Sequence, residues 1–222
     1  MKWQKENITT IDCFGDSLTA GFGGVPGKGW IAQLEKRCPN ISFYNYGVCG
    51  AMVEDIGDTL SMHVGMARPG EGFFFMGGTN DILCGRRLVT LEKEVEDLIV
   101  SVIPKVPLTL GIPPLATRES IFTGWQTEYN YEKNQEDLQH YGLFLKDLAK
   151  KWDLPLIDFS TAFPLDDVWY SDGLHPNERG YREMALLAER VWKHSEELEV
   201  RSGGGGATKF GSTANVRKSD LV

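Results

Sequence analysis

Apolar positions along the chain fall into two alternating rhythms. Ile8, Ile11, Cys13 and Phe14 make a short apolar run that stops at Gly15, as a buried strand does. A Gly-rich stretch over 21–29 follows, and Trp30, Ile31, Leu34 and Arg37 then take helical spacing up to Pro39. Residues 41–47 alternate as a second strand, and Met52, Val53, Ile56, Leu60 and Val64 share one helical face. Residues 72–76, closed by Gly77-Gly78, form the continuous apolar run expected of a central strand covered on both sides. Leu91, Val95, Leu98, Ile99 and Val102 predict a helix ended by Pro104, and 106–112 a fourth strand stopped by Pro113-Pro114. Leu138, Tyr141, Leu145, Leu148, Ala149 and Trp152 line a long helix, 154–159 reads as a fifth strand, and Tyr181, Met184, Ala185, Ala188, Val191 and Trp192 line a last helix.

Five alternations of strand and helix imply a parallel sheet with helices on both faces, because right-handed crossovers permit little else. The fold class is therefore α/β. Residues 116–128 and 161–176 interrupt the alternation. Both follow strands, so both are expected as loops on the side where α/β folds build their sites.

Cys13-Phe14-Gly15-Asp16-Ser17-Leu18 places a serine at the carboxyl end of the first strand. A serine hydroxyl is a poor nucleophile at neutral pH and needs a base, an orienting carboxylate and oxyanion donors. His63, His140 and His194 lie in helical segments and read as ordinary surface or half-buried residues. His175 differs, because it sits in the turn Ser171-Asp172-Gly173-Leu174-His175-Pro176-Asn177, where Asn177 can cap the last helix. Gly173 lets that turn bend far enough for Asp172 to reach the imidazole. Ser17, Asp172 and His175 then have the chain order of a nucleophile, its orienter and its base. The Ser17 N–H, the Gly47 N–H in Asn45-Tyr46-Gly47-Val48-Cys49-Gly50 and the Asn80 amide in Gly78-Thr79-Asn80-Asp81 are candidate oxyanion donors at three neighbouring strand ends.

Those four segments, in that order, resemble the four sequence blocks of the SGNH, or GDSL-type, hydrolase family, and the likeness spans residues 8 to about 198. The resemblance implies a flavodoxin-like three-layer α/β/α fold with a five-stranded parallel sheet, and esterase, lipase-like, thioesterase or deacetylase activity. It makes Ser17 the nucleophile, His175 the base, Asp172 its partner, and Ser17, Gly47 and Asn80 the oxyanion donors. The expected activity is hydrolysis of small acyl or acetyl esters through an acyl-enzyme. An acyltransferase using the same intermediate, and a binding module with a vestigial site, are the alternatives. Pro113, Leu115, Trp125, Trp169 and Tyr170 are expected to shape the substrate pocket, and Asp16 to hold the turn before the nucleophile.

Composition narrows the partners. The formal net charge is −8 and no basic cluster is present, which argues against nucleic acid. Cys13, Cys38, Cys49 and Cys84 match neither a zinc pattern nor a disulfide scaffold and read as free thiols. No metal or cofactor is expected, since His175 has no second histidine at ligand spacing. With no signal region or membrane-length apolar run, the expectation is a cytoplasmic protein acting on a small-molecule ester. Residues 1–201 read as one hydrolase domain, and 202–222 as a Gly-rich flexible tail beginning at a cloning junction.

Overall fold

A computed structural model describes residues 8–203, with side chains as far as Trp192. Five strands, β1 (Thr10–Gly15), β2 (Ser42–Gly47), β3 (Glu71–Met76), β4 (Leu108–Ile112) and β5 (Leu156–Asp158), form one sheet in the order β2-β1-β3-β4-β5. Every pairing is parallel. The helices are α1 (Ser17–Ala20), α2 (Trp30–Glu35), α3 (Val53–Val64), α4 (Thr79–Leu83), α5 (Leu88–Val102), α6 (Glu119–Phe122), α7 (Glu128–Trp152) and α8 (Glu178–Gly203). The architecture is a three-layer α/β/α sandwich.

The period of two along the strands divides the core. Phe73 and Phe75 of β3, with Phe14 of β1 and Leu108, Leu110 and Ile112 of β4, face α3, α5 and α7. Phe74 and Met76, with Ile11 and Cys13, face α2 and α8, where Trp30, Leu34, Tyr181 and Met184 are fully buried. This is why β3 reads as an unbroken apolar run: both of its faces are interior.

The five expected strands and the periodic helices are all present, and the differences lie at their ends. β4 begins at Leu108 rather than Val106, because Pro107 has no N–H to give a ladder. β5 is only three residues long. It ends where Asp158 takes an ion pair from Lys146 at 2.7 Å and Phe159–Thr161 turns into a single 3-10 turn. α1, α4 and α6, each a turn or little more, sit in segments without apolar periodicity. α8 runs two residues past the expected domain boundary at 201, and the remainder of the Gly-rich tail lies outside the described residues. Cys13 and Cys38 are buried, and Cys49 and Cys84 are exposed. Among the described residues no helix is long and apolar enough to cross a membrane.

Candidate active site

The central strands end flush. Gly15 pairs with Gly47 on one side and with Met76 on the other, so the loops after β1, β2 and β3 leave the sheet at one level. After β1 the chain turns at once into α1. Asp16 caps that turn, its Oδ1 accepting from Leu18 N–H at 2.9 Å, and Ser17 is the first helical residue. From the far end of the sequence, the turn before α8 closes over the same spot. Ser171 N–H donates to His175 O at 2.9 Å, and Asn177 caps α8 by accepting from Arg179 and Gly180 N–H at 3.0 and 3.2 Å.

The turn brings His175 Nε2 to 2.9 Å from Ser17 Oγ, and His175 Nδ1 to 2.8 Å from Asp172 Oδ2. Asp172 Oδ1 accepts from Leu174 and His175 N–H at 3.1 and 2.7 Å. A carboxylate has no hydrogen to give, so Nδ1 carries the proton and Nε2 faces the serine as an acceptor. Partial burial pushes the Asp172 pKa up. The bonds from the His175 ring, the His175 N–H and the Leu174 N–H outweigh that and hold it below the ordinary carboxylate value. The three side chains therefore stand in one hydrogen-bonded line from a hydroxyl to an anion.

Two aromatic rings enclose the imidazole. Phe22, from the Gly-rich loop after α1, meets it edge-on at 4.6 Å between centroids, and Trp125, from the loop after α6, does so at 4.8 Å. Both are partly exposed, at 45% and 42%, and they meet each other edge-on at 6.1 Å, so this side of the site is apolar. Phe22 was not among the residues expected from the sequence. It sits among glycines with no period to mark it, and only its place five residues after Ser17 offers a signal.

The residues expected as oxyanion donors differ in what their N–H groups are free to do. Asn80 Nδ2 donates to Ala51 O at 2.9 Å, which fixes the amide and leaves its second N–H to use. Gly47 requires correction, because its N–H donates to Asn45 Oδ1 at 2.9 Å. Glycine is needed there for a close approach: a Cβ would lie 2.3 Å from Ala20 N, so α1 could not rest against the end of β2. Gly50, three residues on, lines a cavity of about 460 Å³ together with Gly15.

The GDSL-like Lipase/Acylhydrolase family model matches residues 13–183. The chain belongs to this family. It is 25% identical over 225 residues to the uncharacterized protein YpmR of Bacillus subtilis, covering 85% of this chain and 82% of that protein. Among solved structures, a lipolytic protein of the G-D-S-L family from Veillonella parvula is 30% identical with a TM-score of 0.71, over 83% of this chain and 98% of that one. A carbohydrate acetylesterase family member from Sinorhizobium meliloti has a TM-score of 0.69 and 18% identity, covering 84% of this chain and 98% of that chain. An aryl esterase of M. smegmatis has a TM-score of 0.67 and 18% identity, covering 84% and 99%. These last two share the fold.

In this GDSL-family chain the aspartate beside the serine has a cost. Asp16 is 1% exposed and its Oδ2 has no hydrogen-bond partner. Burial pushes its pKa up to about 6 against the opposing pull of the Leu18 N–H and of His175. A carboxyl whose folded pKa is raised destabilises the fold above that pKa, and the cost fades as pH falls toward the unfolded value. Asp16→Asn keeps an N-capping oxygen and removes the charge. It is expected to match or exceed wild-type stability at pH 8, by up to about 3 kcal/mol, with the gain vanishing near pH 4. Thermal midpoints of both proteins across that range check this, and a gain that grew on acidification would contradict it.

Of the expected pocket residues, only Trp125 meets the Ser17–His175–Asp172 line. Tyr170 is buried, with its hydroxyl donating to Leu115 O at 2.6 Å and its ring edge-on to Phe163. Trp169 stacks on Phe163 at 5.8 Å and lies under the Arg179 guanidinium. Pro113 is buried, and Leu115 packs on the α7 side of the core, lining a separate cavity of about 250 Å³ with Ile112, Leu138 and Leu143. These four hold the loops in place. Asp81, in the third block, is fully buried and also structural. Its carboxylate accepts from Val53 N–H at 3.0 Å, at the start of α3, and from Arg86 at 2.7 Å.

Proposed function

We infer that this chain is a serine ester hydrolase acting on small, uncharged acyl esters. The observation that carries the reading is the unbroken line from Ser17 Oγ through the His175 ring to Asp172 Oδ2, with contacts of 2.9 and 2.8 Å. His175 Nε2 takes the Ser17 proton as Oγ attacks the ester carbonyl, and Asp172 stabilises the imidazolium that results. The tetrahedral oxyanion is held by the Ser17 N–H, the second N–H of Asn80 and, in place of Gly47, the N–H of Gly50. His175 returns the proton to the departing alcohol. Water then repeats the sequence on the acyl-enzyme, releasing the acid and restoring Ser17.

The apolar rings of Phe22 and Trp125 at the mouth favour a neutral ester group over a charged one. The name carbohydrate acetylesterase, carried by one solved structure of similar fold, is consistent with a short acyl group. Purified protein is expected to hydrolyse p-nitrophenyl acetate and butyrate faster than the palmitate ester, and to be labelled by a fluorophosphonate probe. Absence of both labelling and hydrolysis of every ester would overturn the reading.

A further inference from the structure

The segment over 117–126 does more than border the site. Thr117 N–H donates to Gly173 O at 2.7 Å, and Thr123 Oγ1 donates to Asp172 O at 2.7 Å. Gly173 itself lies so close to α6 that a Cβ would stand 2.2 Å from Ser120 N, and its φ of +75° is one that L side chains rarely adopt. The segment is anchored in turn by a buried polar chain. Gln126 Nε2 donates to Ser120 Oγ, and Asn134 Nδ2 of α7 donates to Gln126 Oε1, both at 2.9 Å. Ser120, Gln126 and Asn134 are all buried, so this chain is shielded from competing water.

From that anchored segment Trp125 Nε1 reaches Asp172 Oδ2 at 2.8 Å. The same oxygen accepts from His175 Nδ1, so Oδ2 takes two side-chain donors while Oδ1 takes two backbone donors. All four lone-pair directions of the carboxylate are then occupied. A partly exposed indole can satisfy its N–H with water, which makes its aim at this carboxylate informative.

The geometry points to Trp125 as a positioning residue of the reaction: its indole N–H locks Asp172 in the rotamer that orients His175, and its ring shields the imidazole–carboxylate pair. This goes beyond a role in lining the mouth and rests on the Ser17–His175–Asp172 reading given above. A fourth donor shares the Oδ2 lone pairs that the imidazole would otherwise take alone, so Trp125 tunes the basicity of the pair as well as its direction. The other titratable groups near the pair are Asp16 before α1, Glu119 of α6 and Tyr181 of α8, whose hydroxyl donates to Phe22 O at 2.6 Å. None of them changes when Trp125 does.

Trp125→Phe keeps a ring against His175 and removes the N–H. With turnover counted per fluorophosphonate-reactive site, it is expected to lose roughly 10- to 100-fold in kcat on p-nitrophenyl acetate, the scale of one hydrogen bond to a charged group. KM is expected to stay within about threefold, because phenylalanine keeps an apolar ring at the mouth of the site. The acid limb of the kcat/KM profile is expected to move to higher pH. If Trp125→Phe does not fold, benzothienylalanine at the same position, which has the shape of indole without its N–H, supplies the same comparison. Wild-type kcat and an unmoved pH profile in either variant would overturn the inference, and so would a rise in KM alone, which describes a substrate wall. Ser17→Ala measured alongside separates the two levels. An inactive Ser17→Ala with a wild-type Trp125→Phe refutes only the positioning role, whereas an active Ser17→Ala refutes the nucleophile assignment beneath it.

Discussion

Alanine in place of Ser17 is expected to lower kcat on a p-nitrophenyl ester by on the order of 10⁶-fold, the scale seen when the nucleophile of a serine triad is removed. The change deletes one oxygen whose hydrogen bond is to His175 Nε2, at a position already packed into the turn after β1. The backbone N–H at position 17 and the Asn80 amide stay in place, so any residual rate over water would come from oxyanion binding alone. Folding should scarcely change, since alanine suits the first turn of a helix and Asp16 still supplies the cap. The measurements are kcat, fluorophosphonate labelling and the thermal midpoint. A variant that folded normally and kept even a tenth of the wild-type rate would remove Ser17 from the chemistry.

Asp172→Asn is expected to cost about 10⁴-fold in kcat, comparable to the same change in a well-studied serine protease triad. The reason here is specific to the carboxylate's surroundings. Oδ1 faces the N–H groups of Leu174 and His175, and Oδ2 faces the ring hydrogens of His175 and Trp125. An amide has one oxygen and one NH₂, so whichever way it is turned the NH₂ meets two donors. With the NH₂ toward the ring, Nδ1 must become the acceptor and Nε2 carries the hydrogen. The imidazole then presents a proton to Ser17 where it should present a lone pair. Single-turnover acylation rates for the two proteins test this, and a loss smaller than tenfold would show that His175 is oriented by something else.

Much of this arrangement is legible in the sequence, and the boundary has physical causes. Phe73, Phe74 and Phe75 announce a strand buried on both faces because burial leaves no polar alternation to blur the run. Asp172 and His175 can be paired from sequence because both lie in one short turn, where local geometry decides whether they meet. Phe22 and Trp125 could not be placed at His175 in the same way. They come from loops more than 100 residues apart, each fixed by tertiary contacts that leave no period. Gly47 shows a subtler failure. A glycine at a strand end serves a bare N–H or a close approach equally well, and only the fold reveals that α1 rests against it and that Asn45 takes its hydrogen. Trp169 and Tyr170 have the aromatic character of pocket walls, yet Phe163 and the Leu115 carbonyl claim them as packing.

The flush strand ends at Gly15, Gly47 and Met76 make the sheet a measuring device. Because side chains alternate with a period of two, a residue inserted into or deleted from β1 would exchange the two core faces beyond it and carry Ser17 away from the level at which Asn80 and His175 wait. The loops over 21–29 and 116–127 do not set the level of a strand, and beyond the contacts of Thr117, Thr123 and Trp125 with the Asp172 turn they escape that constraint. Strand length is thus part of the catalytic design, while changes in what the site accepts can be confined to loops that the sheet does not count.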